Sequence, residues 1–191
     1  MATSLSPAPS PALEGVDAVI LTHGGHEAGL TETVDYGGVK SILNAVKGRT
    51  VRIVLMTAVG TTSRHQSFNI STGVHDWKRR SEWLLRASGQ PYVIVRPGWF
   101  DYNDDDQHQL VFLQGDTRQH GSPADGVIAR EQIARVLIAA VTDEKATGKN
   151  LRAGRGEGPR AGEPDTTVRG TRPRRRWQHL RGPRQRQLPP V

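Results

Sequence analysis

Residues 51–56 read VRIVLM, a short run that is almost continuously apolar and rich in β-branched side chains. Two similar runs lie on either side, VDAVIL at residues 16–21 and YVIV at residues 92–95. Strands that are covered on both faces, as in a parallel sheet, have this composition. The three runs therefore predict three buried parallel strands.

Helical patterns alternate with these runs. Apolar residues recur at helical spacing in residues 39–46, 74–88 and 133–141. A glycine follows each pattern and is available to end the helix: Gly48, Gly89 and Gly148. Alternating strands and helices require right-handed crossovers, which predicts a doubly wound α/β sheet. A further short strand is predicted at residues 110–113.

The positive charge is confined to one end of the chain. The 191 residues carry a net charge of +7, but residues 1–150 have a net charge of −1 and residues 151–191 one of +8. A length of 191 residues is typical of one domain. We therefore predict a folded domain over residues 1–150, followed by a basic tail over residues 151–191.

The tail has 11 Arg, no Lys, and too few apolar residues to order itself. Arg174–Arg176 beside Trp177 have the charge and the ring for contacting nucleic acid. The same composition also arises when a GC-rich gene is read in a shifted frame. We do not expect a nucleic-acid partner, and the origin of the tail stays open.

Several classes of protein are excluded by composition. The chain has no cysteine, so disulfides and thiolate metal sites are impossible. His23 and His26 have no third ligand at metal-binding spacing, and no metal is expected. Residues 1–13 do not read as a signal peptide, and no apolar stretch is long enough for a membrane span, so the expected location is cytoplasmic.

Five segments in the right order resemble a known family across residues 9–148. The segments are EGVDAVILTHGG (14–25), VDYGGVKSILNAV (34–46), VRIVLMTAVG (51–60), WKRRSEWLLRASG (77–89) and YVIVRPG (92–98). Together they resemble the NAD(P)H-binding, NmrA-like branch of the atypical short-chain dehydrogenase/reductases. The resemblance implies a Rossmann-like sheet and NADP or NAD as cofactor.

This resemblance also implies that the fold is incomplete. Glu14–Leu21 corresponds to the family's fourth strand, so the N-terminal βαβαβ portion is lacking. That portion carries the G-x-x-G-x-x-G turn, whose backbone amides approach the cofactor pyrophosphate. The pairs Gly24-Gly25 and Gly37-Gly38 do not have its spacing. We expect an open sheet edge where the central strand would pair.

The resemblance implies catalytic roles for Lys78 and Thr57. Lys78 would bind the nicotinamide ribose, and Thr57 would help to hold a substrate carbonyl. The family's usual acid is a Tyr four residues before the Lys, but that position is Val74 here. The alternatives are a solvated basic face for Lys78 and a turn cap for Thr57. His75 is interpreted as a surface residue.

Thr22, His23 and Gly24 follow the first predicted strand, where doubly wound sheets open their ligand crevice. The resemblance places this loop beside the adenosine and the nicotinamide-side ribose. An ordinary turn between strand and helix is the alternative.

Pro97 and Gly98 end the third predicted strand and, by the same resemblance, pass over the nicotinamide. Trp99 and Phe100 would line the substrate pocket. The alternative is a strand terminator followed by core aromatic residues.

The predicted function is that of an NAD(P)-dependent oxidoreductase that transfers hydride to a small carbonyl or quinone-like compound. Two alternatives stay open, a non-catalytic NAD(P)-binding regulator or sensor and an inactive fragment. The expected partner is a small-molecule substrate.

Overall fold

The computed structural model of the protein describes residues 11–25, 27–101, 109–113 and 119–156. Within these residues the strands are β1 (Ala18–Leu21), β2 (Arg52–Met56), β3 (Tyr92–Pro97), β4 (Trp99–Asp101), β5 (Gln109–Leu113), β6 (Val127–Ala129) and β7 (Lys149–Gly156). The α-helices are α1 (Gly38–Ala45), α2 (Ser67–Thr72), α3 (Val74–Ala87) and α4 (Arg130–Thr142). No helix in this part of the chain is long and apolar enough to cross a membrane.

The main sheet has the strand order β1-β2-β3-β7-β5. The first four strands are parallel, and β5 runs antiparallel to β7. β4 and β6 form a separate parallel pair. The prediction that residues 16–21, 51–56 and 92–95 give parallel strands is confirmed, as is the short strand predicted at residues 110–113.

Helices cover both faces of this sheet. On one face α4 packs on Val54, Val93 and Val95, all of which are fully buried. On the other face α1 and α3 pack on Ile53 and Ile94. This three-layer arrangement explains why β2 and β3 are apolar at consecutive positions, since each face of each strand meets a helix layer.

The predicted helices lie where their apolar patterns placed them. Gly48, Gly89 and Gly148 have φ angles of +82°, +78° and +74°, which an L side chain rarely adopts. A π-helical segment over Glu32–Gly37, which the sequence did not predict, precedes α1. π-Helical segments are rare in proteins, and those that occur are often found at functional sites.

The predicted end of the domain at residue 150 is wrong. Residues 151–156 belong to β7, which pairs with β3 on one side and β5 on the other. Leu151, Arg152 and Ala153 are buried there. The pattern was missed because three of the eight residues in β7 are Lys or Arg and two are Gly, which is not the composition of an apolar strand. The remaining tail, residues 157–191, lies outside the described residues.

β1 forms one edge of the sheet among the described residues, with β2 as its partner. Its side chains Val19 and Ile20 are not fully buried, and Ile20 is 39% exposed. The expected open edge is therefore present in this part of the structure.

Candidate active site

A pocket of about 510 Å³ opens at the carboxyl ends of β1, β2 and β3. Ligands in doubly wound sheets bind at this end, beyond the strand termini. Every site residue predicted from the sequence lines the pocket: Thr22, His23, Gly24, Thr57, Lys78, Pro97, Gly98, Trp99 and Phe100. Side chains from four separate segments of sequence therefore meet around one cavity.

Lys78 is held by a buried carboxylate that the sequence did not single out. Its Nζ lies 2.5 Å from Oδ1 of Asp35, whose side chain is 2% exposed. Oδ2 of Asp35 accepts a hydrogen bond of 3.0 Å from the backbone N–H of Gly25. Asp35 lies in the π-helical segment, so no helical or strand period placed it near Lys78. One carboxylate thus joins Lys78 to the loop after β1.

Gly24 leaves the Lys78 ammonium uncovered on one side. A Cβ at residue 24 would lie 3.2 Å from Nζ of Lys78. An ammonium group beside a residue without a side chain can bind hydroxyl or phosphate oxygens of a ligand.

His23 stands next to this ion pair. Burial is the largest cause that lowers the pKa of His23, and the charge of Lys78 lowers it further, while Asp35 acts in the opposite direction. The imidazole is therefore neutral at pH 7. Gly38 makes room for it, since a Cβ there would lie 2.9 Å from Nε2 of His23.

Thr57 is anchored from behind the pocket. Its hydroxyl donates a hydrogen bond of 2.8 Å to Oε1 of Glu82, which is fully buried. Arg96 donates to both carboxylate oxygens of Glu82, at 2.8 and 2.6 Å. Arg86 adds a bond of 2.9 Å from the helix surface. The direction of the Thr57 hydroxyl is therefore set by a buried network.

Glu82 is ionised in this network. Burial acts to raise the pKa of Glu82, but hydrogen bonds and charge from Arg96, the charge of Arg86 and the Thr57 hydroxyl outweigh burial and lower it. The sequence did not single out Glu82 or Arg96, because the spacing of apolar residues does not show which charged residues form a pair inside the core.

His75 is not a surface residue, contrary to the prediction. It is 8% exposed, lines the pocket, and meets the ring of Phe68 edge-on at 6.2 Å between centroids. The reason is that α2 folds over the first turn of α3. Val74, at the position of the family's Tyr acid, is also buried at the pocket wall.

Gly98 has a packing role beyond any ligand contact. A Cβ there would lie 2.4 Å from the carbonyl oxygen of Gly126, which accepts a hydrogen bond from the N–H of Trp99. Trp99 and Phe100 are 41% and 44% exposed, so the alternative interpretation of them as core aromatic residues is wrong.

The far wall of the pocket carries a histidine and an aspartate that the sequence did not reveal. Nδ1 of His120 lies 3.0 Å from Oδ1 of Asp125, which is 2% exposed. Asp125 also accepts backbone hydrogen bonds from His120 and Gly121. Burial acts to raise the pKa of Asp125, but these bonds outweigh burial and lower the pKa.

The residues present fit the nicotinamide and ribose part of a dinucleotide. Nε2 of Gln66, at the pocket wall, is buried and has no hydrogen-bond partner within the described structure. Such a donor suits a ligand carbonyl. Lys78 and the bare backbone of Gly24 suit ribose hydroxyls. Among the described residues, no group of three or more His, Asp and Glu is arranged for a metal.

Comparison with known proteins decides the family. A family model described as NAD(P)H-binding matches residues 7–144, well over half of the chain. This chain belongs to the NAD(P)H-binding family. The NAD(P)H-binding family expected from the sequence is thereby confirmed.

Two relatives of this NAD(P)H-binding chain illustrate its range. An uncharacterized chloroplastic protein of Arabidopsis thaliana, At2g37660, is 29% identical over 171 residues, which is 74% of this chain and 50% of that protein. Sanguinarine reductase of Eschscholzia californica is 30% identical over 121 residues, 62% of this chain and 44% of the reductase. The chain thus spans half or less of these relatives. The cytoplasmic location stays a prediction.

Solved structures show the fold. A Bacillus halodurans protein described as an NAD-dependent epimerase/dehydratase matches with a TM-score of 0.65 and 24% identity, covering 78% of this chain and 69% of that one. A short-chain dehydrogenase/reductase of Veillonella parvula in complex with NADP matches with a TM-score of 0.53 and 17% identity, covering 78% and 68%. The predicted Rossmann-like α/β class is confirmed, and the chain matches about two thirds of each of these structures.

Proposed function

We propose that this protein is an NAD(P)H-dependent oxidoreductase that reduces a small carbonyl or quinone-like compound. One observation carries the proposal. Lys78 from α3, Gly24 from the loop after β1, and the exposed rings of Trp99 and Phe100 in β4 line a single pocket in a chain of the NAD(P)H-binding family.

Lys78, Gly24 and Gly98 would hold the cofactor. Lys78 is fixed by Asp35 with its ammonium beside Gly24, so ribose hydroxyls can approach without a steric barrier. Pro97 and Gly98 line the pocket where the nicotinamide would lie, and Thr22 and His23, in the loop after β1, line it beside Gly24. When bound, the reduced nicotinamide supplies hydride.

Trp99 and Phe100 would bind the substrate. Both rings are partly exposed and line the pocket with Met56 and Phe68, which gives an apolar wall for a flat, small molecule. The guanidinium of Arg130 lies 5.0 Å from the centroid of the Phe100 ring, a cation–π contact that favours this ring position.

Thr57 would contact the ligand through its oxygen. Its proton is donated to Glu82, so the lone pairs of Oγ1 are what it offers to the pocket. A ligand N–H, such as that of a carboxamide, fits this acceptor. To donate to a carbonyl, the role that the family resemblance implies, Thr57 would first have to give up its hydrogen bond to Glu82.

Turnover tests the proposal. The protein is incubated with NADPH and a panel of carbonyls and quinones, and loss of NADPH absorbance is followed. We expect turnover, and Trp99→Ala should lower kcat/KM for the acceptor about 5-fold, since an aromatic contact contributes about 1 kcal/mol. Trp83→Ala is the matched control, because Trp83 is similarly exposed on α3 and does not line the pocket.

A sensor is the second candidate, and one observation favours it. Val74 occupies the position of the family's Tyr acid, so the usual proton donor is replaced by a buried aliphatic side chain. If NADPH binds and no acceptor is reduced, the sensor is supported and the oxidoreductase is rejected. If neither NADPH nor NADH binds, the inactive-fragment alternative is supported.

A further inference from the structure

We propose that His120, positioned by Asp125, is the proton donor for the reduction. This inference rests on the proposed oxidoreductase function and supplies the acid that the sequence lacks at Val74. His120 lines the same pocket as Lys78 and Trp99, and its side chain is 69% exposed, so a bound acceptor can reach it.

Asp125 fixes the orientation of the imidazole. Its side chain is 2% exposed, and Oδ1 lies 3.0 Å from Nδ1 of His120. Oδ1 also accepts the backbone N–H of His120 at 2.8 Å, and Oδ2 accepts that of Gly121 at 2.7 Å. Both ends of His120, its backbone and its ring, are therefore bound to one carboxylate.

The carboxylate is in turn tied to the sheet. A guanidinium N–H of Arg152 in β7 donates to the backbone carbonyl of Asp125 at 2.5 Å. The next residue, Gly126, accepts a hydrogen bond from Trp99 in β4. The loop that contains the pair of His120 and Asp125, here called the dyad, is thus hydrogen-bonded to β7 and to β4, and β4 contains Trp99 and Phe100.

This geometry determines which ring nitrogen faces a ligand. The lowered pKa of Asp125 keeps it a carboxylate, which only accepts hydrogen bonds. Nδ1 must therefore carry a proton and donate it, and Nε2 is the nitrogen left for the pocket. A histidine backed by a buried carboxylate in this way is a common arrangement for a general acid or base.

The chemical step balances with reduced nicotinamide as the two-electron donor. A bound dihydronicotinamide would supply hydride to the carbonyl carbon, and the C=O π electrons would move to the oxygen. Nε2–H of the His120 imidazolium gives its proton to that oxygen, which yields the alcohol and a neutral imidazole. A proton from solvent then restores the imidazolium, while the oxidised nicotinamide leaves.

An iminium acceptor needs no such proton. Hydride addition to a C=N⁺ bond gives a neutral amine directly, because the positive nitrogen receives the electron pair. Carbonyls and quinones must gain a proton as well as hydride. Loss of His120 should therefore affect oxygen acceptors and not iminium acceptors, and comparing the two acceptor types isolates the role of His120.

The test uses His120→Asn, whose amide N–H can replace Nδ1–H toward Asp125 while nothing replaces Nε2. NADPH oxidation is measured with 9,10-phenanthrenequinone and with an N-methylquinolinium cation as the iminium acceptor. We expect the ratio of quinone to iminium turnover to fall about 100-fold. His65→Asn is the matched control, because His65 is exposed and lies outside the pocket lining.

The outcomes separate this inference from the proposed function. If His120→Asn lowers both rates equally or neither, His120 is not the proton donor although the oxidoreductase stands. If the wild-type protein reduces neither acceptor, the oxidoreductase itself fails, and the donor role falls with it.

A second measurement does not need turnover. The ¹⁵N shifts of the His120 ring report its tautomer in the free protein, and we expect a protonated Nδ1 and a non-protonated Nε2 in the neutral form. Asp125→Asn should move the ring toward a mixture of tautomers. A neutral ring protonated at Nε2 in the wild-type protein would overturn the positioning role of Asp125.

Discussion

Gly98 lies where the chain leaves β3, and the carbonyl oxygen of Gly126 approaches it so closely that no side chain fits. Gly98→Ala should therefore destabilise the protein by about 2 kcal/mol, because backbone rather than a flexible side chain must move. Urea unfolding measures this change. Gly154→Ala is the control, since a Cβ there makes only an ordinary contact of 3.7 Å, and an equal loss in both variants would contradict the explanation.

Glu82 permits a second prediction at this scale. Glu82→Gln removes the negative charge from a buried ion pair with Arg96 and should cost about 3 kcal/mol at pH 7. Since the pKa of Glu82 is below its ordinary 4.5 in the folded protein, its contribution is complete above pH 4.5 and is lost as the pH falls through the folded pKa. The difference between wild type and variant should therefore shrink below pH 4.5.

Unfolding free energies measured from pH 7 to pH 3 check this prediction. Glu131→Gln is the control, because its ion pair with Arg135 is exposed and should change stability by less than about 0.5 kcal/mol. A difference for Glu82→Gln that stays constant over this pH range would exclude the carboxylate as its source.

At the scale of elements, β7 is the strand whose role is least evident from its residues. Leu151 is 2% exposed there, between β3 and β5. Leu151→Ala should cost about 3 kcal/mol, as for other buried leucines. Ile138→Ala, on the exposed side of α4, should have almost no effect. Thermal unfolding of the two variants compares them, and equal melting temperatures would show that β7 is not part of the core.

The elements that the sequence predicted share a physical cause. β2 and β3 are covered on both faces, so burial selects β-branched residues at consecutive positions. β7 also lies inside the sheet, but it contains Arg152, which is buried and donates a hydrogen bond to the backbone carbonyl of Asp125. The sequence does not distinguish a buried arginine from an exposed one, so a search for apolar runs does not find a strand such as β7.

Only part of the site could be predicted from the sequence, namely the residues at the ends of the parallel strands. Loops after parallel strands meet at one edge, so the topology alone placed Thr57 and Gly98 near each other. Asp35, Glu82 and His120 come from helices and a loop whose approach depends on packing angles. Their pairing with Lys78, Thr57 and Asp125 is a property of the folded chain and not of residue spacing.

At the scale of the whole molecule, the β1 edge is the exposed feature of the sheet. A partly apolar edge is a template for pairing with other chains. Ile20→Lys adds a charge to this edge and should raise the protein concentration at which light scattering begins to increase. Ile138→Lys adds the same charge on α4. If both variants behave alike, the effect comes from net charge rather than from the edge.

Binding of NADPH tests the central claim most directly, and isothermal titration calorimetry measures it without any substrate. Lys78→Met is made together with Asp35→Asn, so that no buried carboxylate is left without its cation, and Asp35→Asn alone is the reference. We predict saturable binding of one NADPH to the wild-type protein, with affinity 10- to 100-fold weaker in the double variant than in the reference, as expected for the loss of about 1.5–3 kcal/mol from one charged hydrogen bond. Lys40→Met, at an exposed position on α1, should bind as the wild type does. Absence of binding by the wild-type protein, or equal affinity with and without Lys78, would contradict a nucleotide pocket at the ends of β1, β2 and β3.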